Sequence, residues 1–184
     1  PIYFVRKRLQ ELGVEVVESK LKGSYVSIFS DINFMISLFN LIRKIDPDVF
    51  FPYTLKPVIY GTVLAKICRV KLMTPMLTGL GYNFTEGNSS NKLVVSITKL
   101  LLKCSLKSNP RLNIIFQNKD DAKNLIDLKI LTPKHNIYVV NGSGVDLSHY
   151  TYTKPKMDSV SFLMIGRLIN AKGINEYFEA AKII

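Results

Sequence analysis

The alternation of short apolar runs with helical stretches constrains this chain more than any other feature. Runs of strand length recur at 14–17, 49–51, 72–77, 114–116, 137–140 and 162–165. Between them the apolar spacing predicts helices at about 31–45 with Asp31 as N-cap, 57–68 with Pro57 near the first turn, 91–107, 119–128 and 174–184. A further amphipathic stretch, carrying Ile2, Val5, Leu9 and Leu12, stops at Gly13. Strict strand–helix alternation calls for crossover connections. It therefore implies an α/β fold with a parallel, doubly wound sheet and helices on both faces. Residues 150–160 are polar, contain Pro155 and lack an apolar period, so they read as a linker between a body at 1–149 and a new βα unit at 161–184.

Composition removes several classes. With 47% hydrophobic and 21% charged residues the chain buries a core and is not disordered. Cys68 and Cys104, and likewise His135 and His149, match no metal-ligand or redox spacing, so neither a metal nor a disulfide framework is expected. No apolar run reaches the roughly 18 residues of a membrane span and no signal peptide is evident, which points to a cytoplasmic protein. The net charge is +11, and it is uneven: residues 61–110 hold seven bases and one acid. Such a basic stretch suits a surface that faces phosphates, whether of nucleotide, nucleic acid or lipid.

Four loops at strand ends are candidates for chemistry, because ligands of open α/β sheets bind at the carboxyl ends of the strands. Tyr53-Thr54-Leu55-Lys56-Pro57 places a lysine beside a helix N-terminus, where an anion is favoured, although a solvated loop lysine fits equally. Thr78-Gly79-Leu80-Gly81-Tyr82 has two glycines but Phe84 where a dinucleotide fingerprint needs a third, so a tight turn is an open alternative. Gly142-Ser143-Gly144-Val145-Asp146 fits a pivot, a cleft lining or a simple turn. Gly166-Arg167 and Lys172-Gly173 flank a loop that enters a helix, and a guanidinium with an ammonium there could hold a leaving diphosphate, although solvated charges fit equally.

In this order the motifs YTLKPVIYG, TGLGYNFT, FQNKDD, VNGSGVDLSHY and FLMIGRLINAKGINEY resemble the retaining GT-B glycosyltransferases of family 4, in the branch that builds bacterial capsule, O-antigen and related surface polysaccharides. The resemblance runs from about residue 31 to 184. It implies two Rossmann-like domains across a cleft, of which this chain carries an acceptor-side domain at 1–149 and only the first βα unit of the donor domain. It further implies that Arg167 and Lys172, with Gly166, contact the donor diphosphate. By the same resemblance Tyr53, Thr54, Lys56, Gly79, Gly81, Tyr82 and Asn118 are expected to line the acceptor side, with Asn118 and Asp121 matching an N-x-x-D signature. The resemblance also implies that Gly142, Ser143, Gly144 and Asp146 mark the interdomain hinge.

Two departures from the family pattern stand out. Phe51 and Tyr53 occupy the positions where many relatives have His-x-His, so no histidine is assigned to catalysis. The family's acidic E-x7-E motif is expected beyond Ile184 and the first strand before Pro1, so this piece is expected to be inactive alone. The implied partners are a nucleotide-sugar, UDP-linked, and a polyprenyl-diphosphate-linked glycan; no metal or other cofactor is expected.

Lys92, Lys99, Lys103 and Lys107 share one helix face at about 100° per residue, with Val94, Ile97, Leu101 and Cys104 opposite. This is either a solvated face or a surface for anionic lipid, which would make the enzyme peripheral at the inner face of the cell membrane. Two rivals remain: a sugar-nucleotide 2-epimerase of the same fold, and a basic nucleic-acid-binding domain. No recognition-helix, RRM or KH signature supports the latter, and no nucleic-acid partner is expected.

Overall fold

A computed structural model of the chain describes residues 2–19, 28–80, 92–154, 159–166, 168 and 170–183. In chain order these form α1 (Ile2–Glu11), α2 (Ile28–Ile45), β1 (Val49–Phe50), α3 (Leu55–Ile67), β2 (Leu72–Met73), β3 (Met76–Leu77), α4 (Lys92–Ser105), β4 (Asn113–Phe116), α5 (Lys119–Asp127), β5 (Asn136–Val139) and α6 (Ile174–Ile183). All strand pairs are parallel, as the alternation requires.

The expected strand at 72–77 is split. Pro75 has no N–H to donate, and a proline in a central strand removes a rung of the ladder. The chain nevertheless stays extended through it: Thr74 N–H donates to the Phe50 carbonyl, Met76 N–H to that of Pro52, and Ile115 N–H to that of Pro75. Bridges Tyr53↔Met76 and Met73↔Leu112 complete the line. The two small sheets, β1-β2 and β3-β4-β5, are thus one strand array in which β2 and β3 share a single lane.

Register sorts the side chains into two faces, because successive residues of a strand point opposite ways. Met73, Pro75, Leu77, Leu112, Ile114 and Phe116 point to one side and are almost wholly buried. They join Val58, Leu64 and Ala65 of α3, Leu102 of α4 and Ala122 and Leu125 of α5 in one core. The other side carries Val49, Phe51, Tyr53 and Tyr138, each about half exposed. Among the described residues α3, α4 and α5 all contribute to the core on the first of these sides. The lanes follow one another in chain order, so every right-handed crossover lands on the same side; a doubly wound sheet needs a reversal of that order.

Two other expected strands are not formed. Residues 14–17 and 162–165 have no assigned secondary structure and pair with no strand among the described residues, and Val14, Val17, Phe162, Leu163 and Ile165 are exposed. A parallel strand is stable when neighbours satisfy its backbone and cover its faces, and these segments have neither here. Helix α6 buries no residue and is tied back by the Tyr177 hydroxyl, which donates to the Phe162 carbonyl at 2.9 Å.

Helix α4 is rotated from the expected orientation. Leu102, Ser105 and Leu106 are buried, whereas Ile97, Leu101 and Cys104 are exposed; the side chain of Val94 lies outside the described residues. The core selects the side that meets α3, and that side is flanked by the lysines rather than opposed to them. Lys66 of α3 secures the contact by donating to the carbonyls of Ser105 and Lys107 at 2.7 and 3.0 Å, where a helix C-terminus favours a cation. Burial, and then repulsion from Lys107, lowers its pKa. His135 adds a second tie: Thr132 N–H donates to Nδ1 at 2.9 Å and Nε2 lies 2.8 Å from the Leu106 carbonyl, which assigns the proton to Nε2.

Gly61 sets how closely α3 approaches the sheet. A Cβ there would lie 2.8 Å from the Phe50 ring. Gly61→Ala is therefore expected to destabilise the fold: overpacking costs about 1–3 kcal/mol, against a helix-propensity gain of about 0.5–1 kcal/mol. Thermal unfolding should show a lower midpoint, recovered by adding Phe50→Leu. At α5, Asn118 accepts from Asp121 N–H at 2.7 Å as the N-cap. Asn118→Ala should cost about 1 kcal/mol in denaturant unfolding.

Candidate active site

The carboxyl ends of β1 and β3 are adjacent, and they carry two of the loops singled out in the sequence. Thr54 N–H donates to the Met76 carbonyl at 3.1 Å, so the turn into α3 begins directly beside the strand that leads to Gly79. Gly79 has φ +155, a backbone region that suits glycine. Thr54 is the unexpected member of this edge. Its φ of 72 with ψ of 166 falls in a region that is essentially glycine-only, at a cost of about 1–3 kcal/mol for a residue with a Cβ. Its carbonyl nevertheless starts α3 by accepting from Val58 N–H.

Two residues further on, Lys56 lies in the first turn of α3 with its side chain only 17% exposed. A cation there opposes the helix dipole and is partly desolvated, so it requires a counter-charge. Asp31 supplies it. This residue is not an N-cap as expected, since α2 begins before it; its carboxylate is 93% buried and lies 3.3 Å from Lys56 Nζ through both oxygens. The Tyr60 hydroxyl, one helical turn after Lys56, donates to Asp31 Oδ2 at 3.0 Å. Burial, with the Asp31 hydrogen bond and charge adding to it, pushes the Tyr60 pKa up to about 12, so the phenol remains a neutral donor across ordinary pH. Phe34, one turn beyond Asp31, packs against the Tyr60 ring with centroids 6.5 Å apart.

The remaining candidates take varied places. Tyr53 is half exposed on the bare face of the sheet. Gly81 and Tyr82 lie outside the described residues. Asn118 is exposed and serves as a cap, with its amide also donating to Asp121 at 2.8 Å. Gly142, Ser143, Gly144 and Asp146 lie in an exposed stretch without regular secondary structure after β5, with Gly144 left-handed at φ +68. Gln117 Nε2, at the end of β4, reaches Ser143 Oγ at 3.4 Å. Hydrogen bonds from the Ser148 hydroxyl and N–H hold the Asp146 carboxyl below its usual pKa.

On the donor side, Gly166 is exposed and Lys172 is exposed at the end of a short 3-10 turn, Asn170–Lys172, ahead of Gly173 at φ +72. Arg167 lies outside the described residues, so its expected proximity to Lys172 does too. Among the described residues no three His, Cys, Asp or Glu side chains gather as metal ligands. A cleft of about 390 Å3 between residues 17–19 and α2 is lined by Glu18, Phe34, Leu38 and Lys44, among others, and shares Phe34 with the Asp31 cluster.

Sequence reasoning reached Lys56 but missed Asp31 and Tyr60 as its partners. A signal was available: Asp31 is the only charged residue between Ile28 and Ile42. A lone acid in an apolar helix has to meet a cation or a set of donors.

Comparison with known proteins gives the family. Across 170 residues the chain is 27% identical to the Escherichia coli UDP-Gal:alpha-D-GlcNAc-diphosphoundecaprenol alpha-1,3-galactosyltransferase, a match that covers 86% of this chain and 42% of that protein. The chain therefore spans less than half the length of that curated relative. Residues 5–118, which include β1 to β4 and the Asp31–Lys56 pair, match the glycosyl transferase 4-like family, and since they make up more than half of the chain, it belongs to that family.

Proposed function

We propose that this chain is the acceptor-side part of a retaining GT-B glycosyltransferase that moves a sugar from a nucleotide-sugar, UDP-linked, to a glycan carried on a polyprenyl diphosphate, in the synthesis of a bacterial surface polysaccharide. The observation that carries the reading is the match over 86% of the chain to an enzyme whose name specifies a UDP-sugar donor and a diphosphoundecaprenol-linked acceptor. The adjoining loops at Lys56 and Gly79 supply a carboxyl-end edge of the kind on which α/β folds bind ligands. In the transfer, the acceptor oxygen bonds to the anomeric carbon on the face from which the nucleotide diphosphate departs, as retention in one step requires, and the hydroxyl proton passes to the departing diphosphate. The leaving diphosphate gains negative charge, and cations placed beside it lower the barrier. Lys172 and Arg167 are assigned to that task, and no metal is invoked.

The full-length protein, given UDP-sugars and a short polyprenyl-diphosphate-linked saccharide, should yield an extended lipid-linked product with retained anomeric configuration. Lys172→Ala should lower kcat/KM by about 10²–10³, the range for losing one group that stabilises developing charge. A nucleotide-sugar converted to its epimer, with no acceptor product, would favour the 2-epimerase reading instead.

A lipid-linked acceptor also calls for a membrane-facing surface, which we assign to α4. Lys92, Lys103 and Lys107 are exposed, and Lys99 is half-buried and engaged with neighbouring groups. Beside them Leu93, Ile97, Leu100 and Leu101 are 41 to 65% exposed, so basic and apolar side chains share one open surface. No helix among the described residues is long and apolar enough to cross a membrane. Attachment would be interfacial: about 1 kcal/mol per lysine near anionic headgroups, or about 3 kcal/mol for the three exposed lysines, plus insertion of the leucines. Replacing Lys92, Lys103 and Lys107 by Glu should weaken sedimentation with anionic vesicles at low salt by at least about a hundredfold. Equal binding by wild type and variant would remove α4 from the membrane surface.

A further inference from the structure

We propose that Asp31 is a positioning residue: through Lys56 and Tyr60 it holds the strained Thr54–Lys56 turn so that the Lys56 ammonium stands fixed at the carboxyl edge of the sheet, where it meets a diphosphate. The inference rests on the transferase reading for the identity of that diphosphate but on geometry for the clamp itself. Three observations converge. Thr54 occupies a glycine-only backbone region, and such strain persists only where surrounding contacts over-determine it. Lys56, two residues later, is largely withdrawn from water and matched by a carboxylate 25 positions upstream on another helix. Tyr60, on the same side of α3, fixes that carboxylate with a hydroxyl 3.0 Å away.

A helix pair needs no buried ion pair to pack. Replacing one by apolar residues is often neutral or stabilising, whereas a fixed ammonium at a ligand-binding edge needs a device of this kind. The pair is close to neutral as a unit. Asp31 therefore contributes placement of a donor rather than net attraction, and the positive charge that draws an anion comes from the basic stretch 61–110. Two diphosphates could use the site: that of the lipid-linked acceptor or that of the nucleotide-sugar.

The test uses the full-length protein. Calorimetric binding of inorganic pyrophosphate is compared, in a Lys172→Ala background, for Asp31→Asn, Lys56→Met and the double variant, with Asp31→Glu as the conservative control. The expected result is a loss of at least tenfold for either single change, no further loss in the double variant, and partial recovery with Glu. Because Asp31 acts through Lys56, the two changes are not additive. Wild-type-like pyrophosphate binding by a folded Asp31→Asn protein, or losses that add, would overturn the proposal. In the transfer assay Asp31→Asn should raise the KM of one substrate about tenfold with kcat little changed; the substrate affected identifies which diphosphate the site serves. A tenfold loss spread over kcat alone would also overturn it. If wild type transfers no sugar, the transferase reading fails, while the pyrophosphate measurement still decides the clamp.

Discussion

The fold depends on β4. Among the described residues it is the central strand of the β3-β4-β5 sheet, paired with β3 through Met76↔Ile115 and Leu77↔Phe116 and with β5 through four registered pairs. Its inward residues Ile114 and Phe116 are fully buried. A parallel strand of this kind has no local hairpin to hold it, so its register is set by burial: a slip of one residue would turn Phe116 to the open face and Ile115 to the core. The helices α3, α4 and α5 fix their rotation by packing against this strand and its neighbours. The end of β4 leads to Gln117 and Asn118, and β3 beside it leads to the Gly79 loop.

The candidate site follows from that arrangement. Parallel strands bring all their carboxyl ends to one edge, so segments distant in sequence become neighbours there without any local signal. The turn at Thr54 and the strand that leads to Gly79 become neighbours in this way. The strain at Thr54 is tolerated because ladder hydrogen bonds on one side and the Asp31–Lys56–Tyr60 cluster on the other leave the turn little freedom. Energy stored in the turn is compensated by the core to which its flanking elements belong. The same core determines what α4 presents outward: once Leu102 and Leu106 are buried, Ile97, Leu100 and Leu101 remain on the surface beside the lysines.

Much of this was legible in the sequence. The alternation of apolar runs and helical periods located the helices α2 to α6 to within a few residues, and the parallel sense of the strands followed from their connections. The ordered motifs gave the family. Less legible was whether an extended apolar segment becomes a strand. Residues 14–17 and 162–165 have the composition of strands, but pairing is a property of two segments, and neither finds a partner among the described residues. The strand expected at 72–77 took no account of Pro75, and the sequence did not reveal that the chain passes through it with its carbonyl still bonded to Ile115.

By itself, then, the amino-acid order determined the class of fold, the positions of the helices and the identity of the loops at the strand ends, because periodicity and turn chemistry act within a few residues. Tertiary structure decided which side of α4 is buried, which face of the sheet stays open, and that Asp31 serves Lys56 and Tyr60 rather than a helix cap. Each of those outcomes depends on the contact of groups brought together only by packing. Asp31 and Lys56 are 25 residues apart, and no local pattern encodes their 3.3 Å separation.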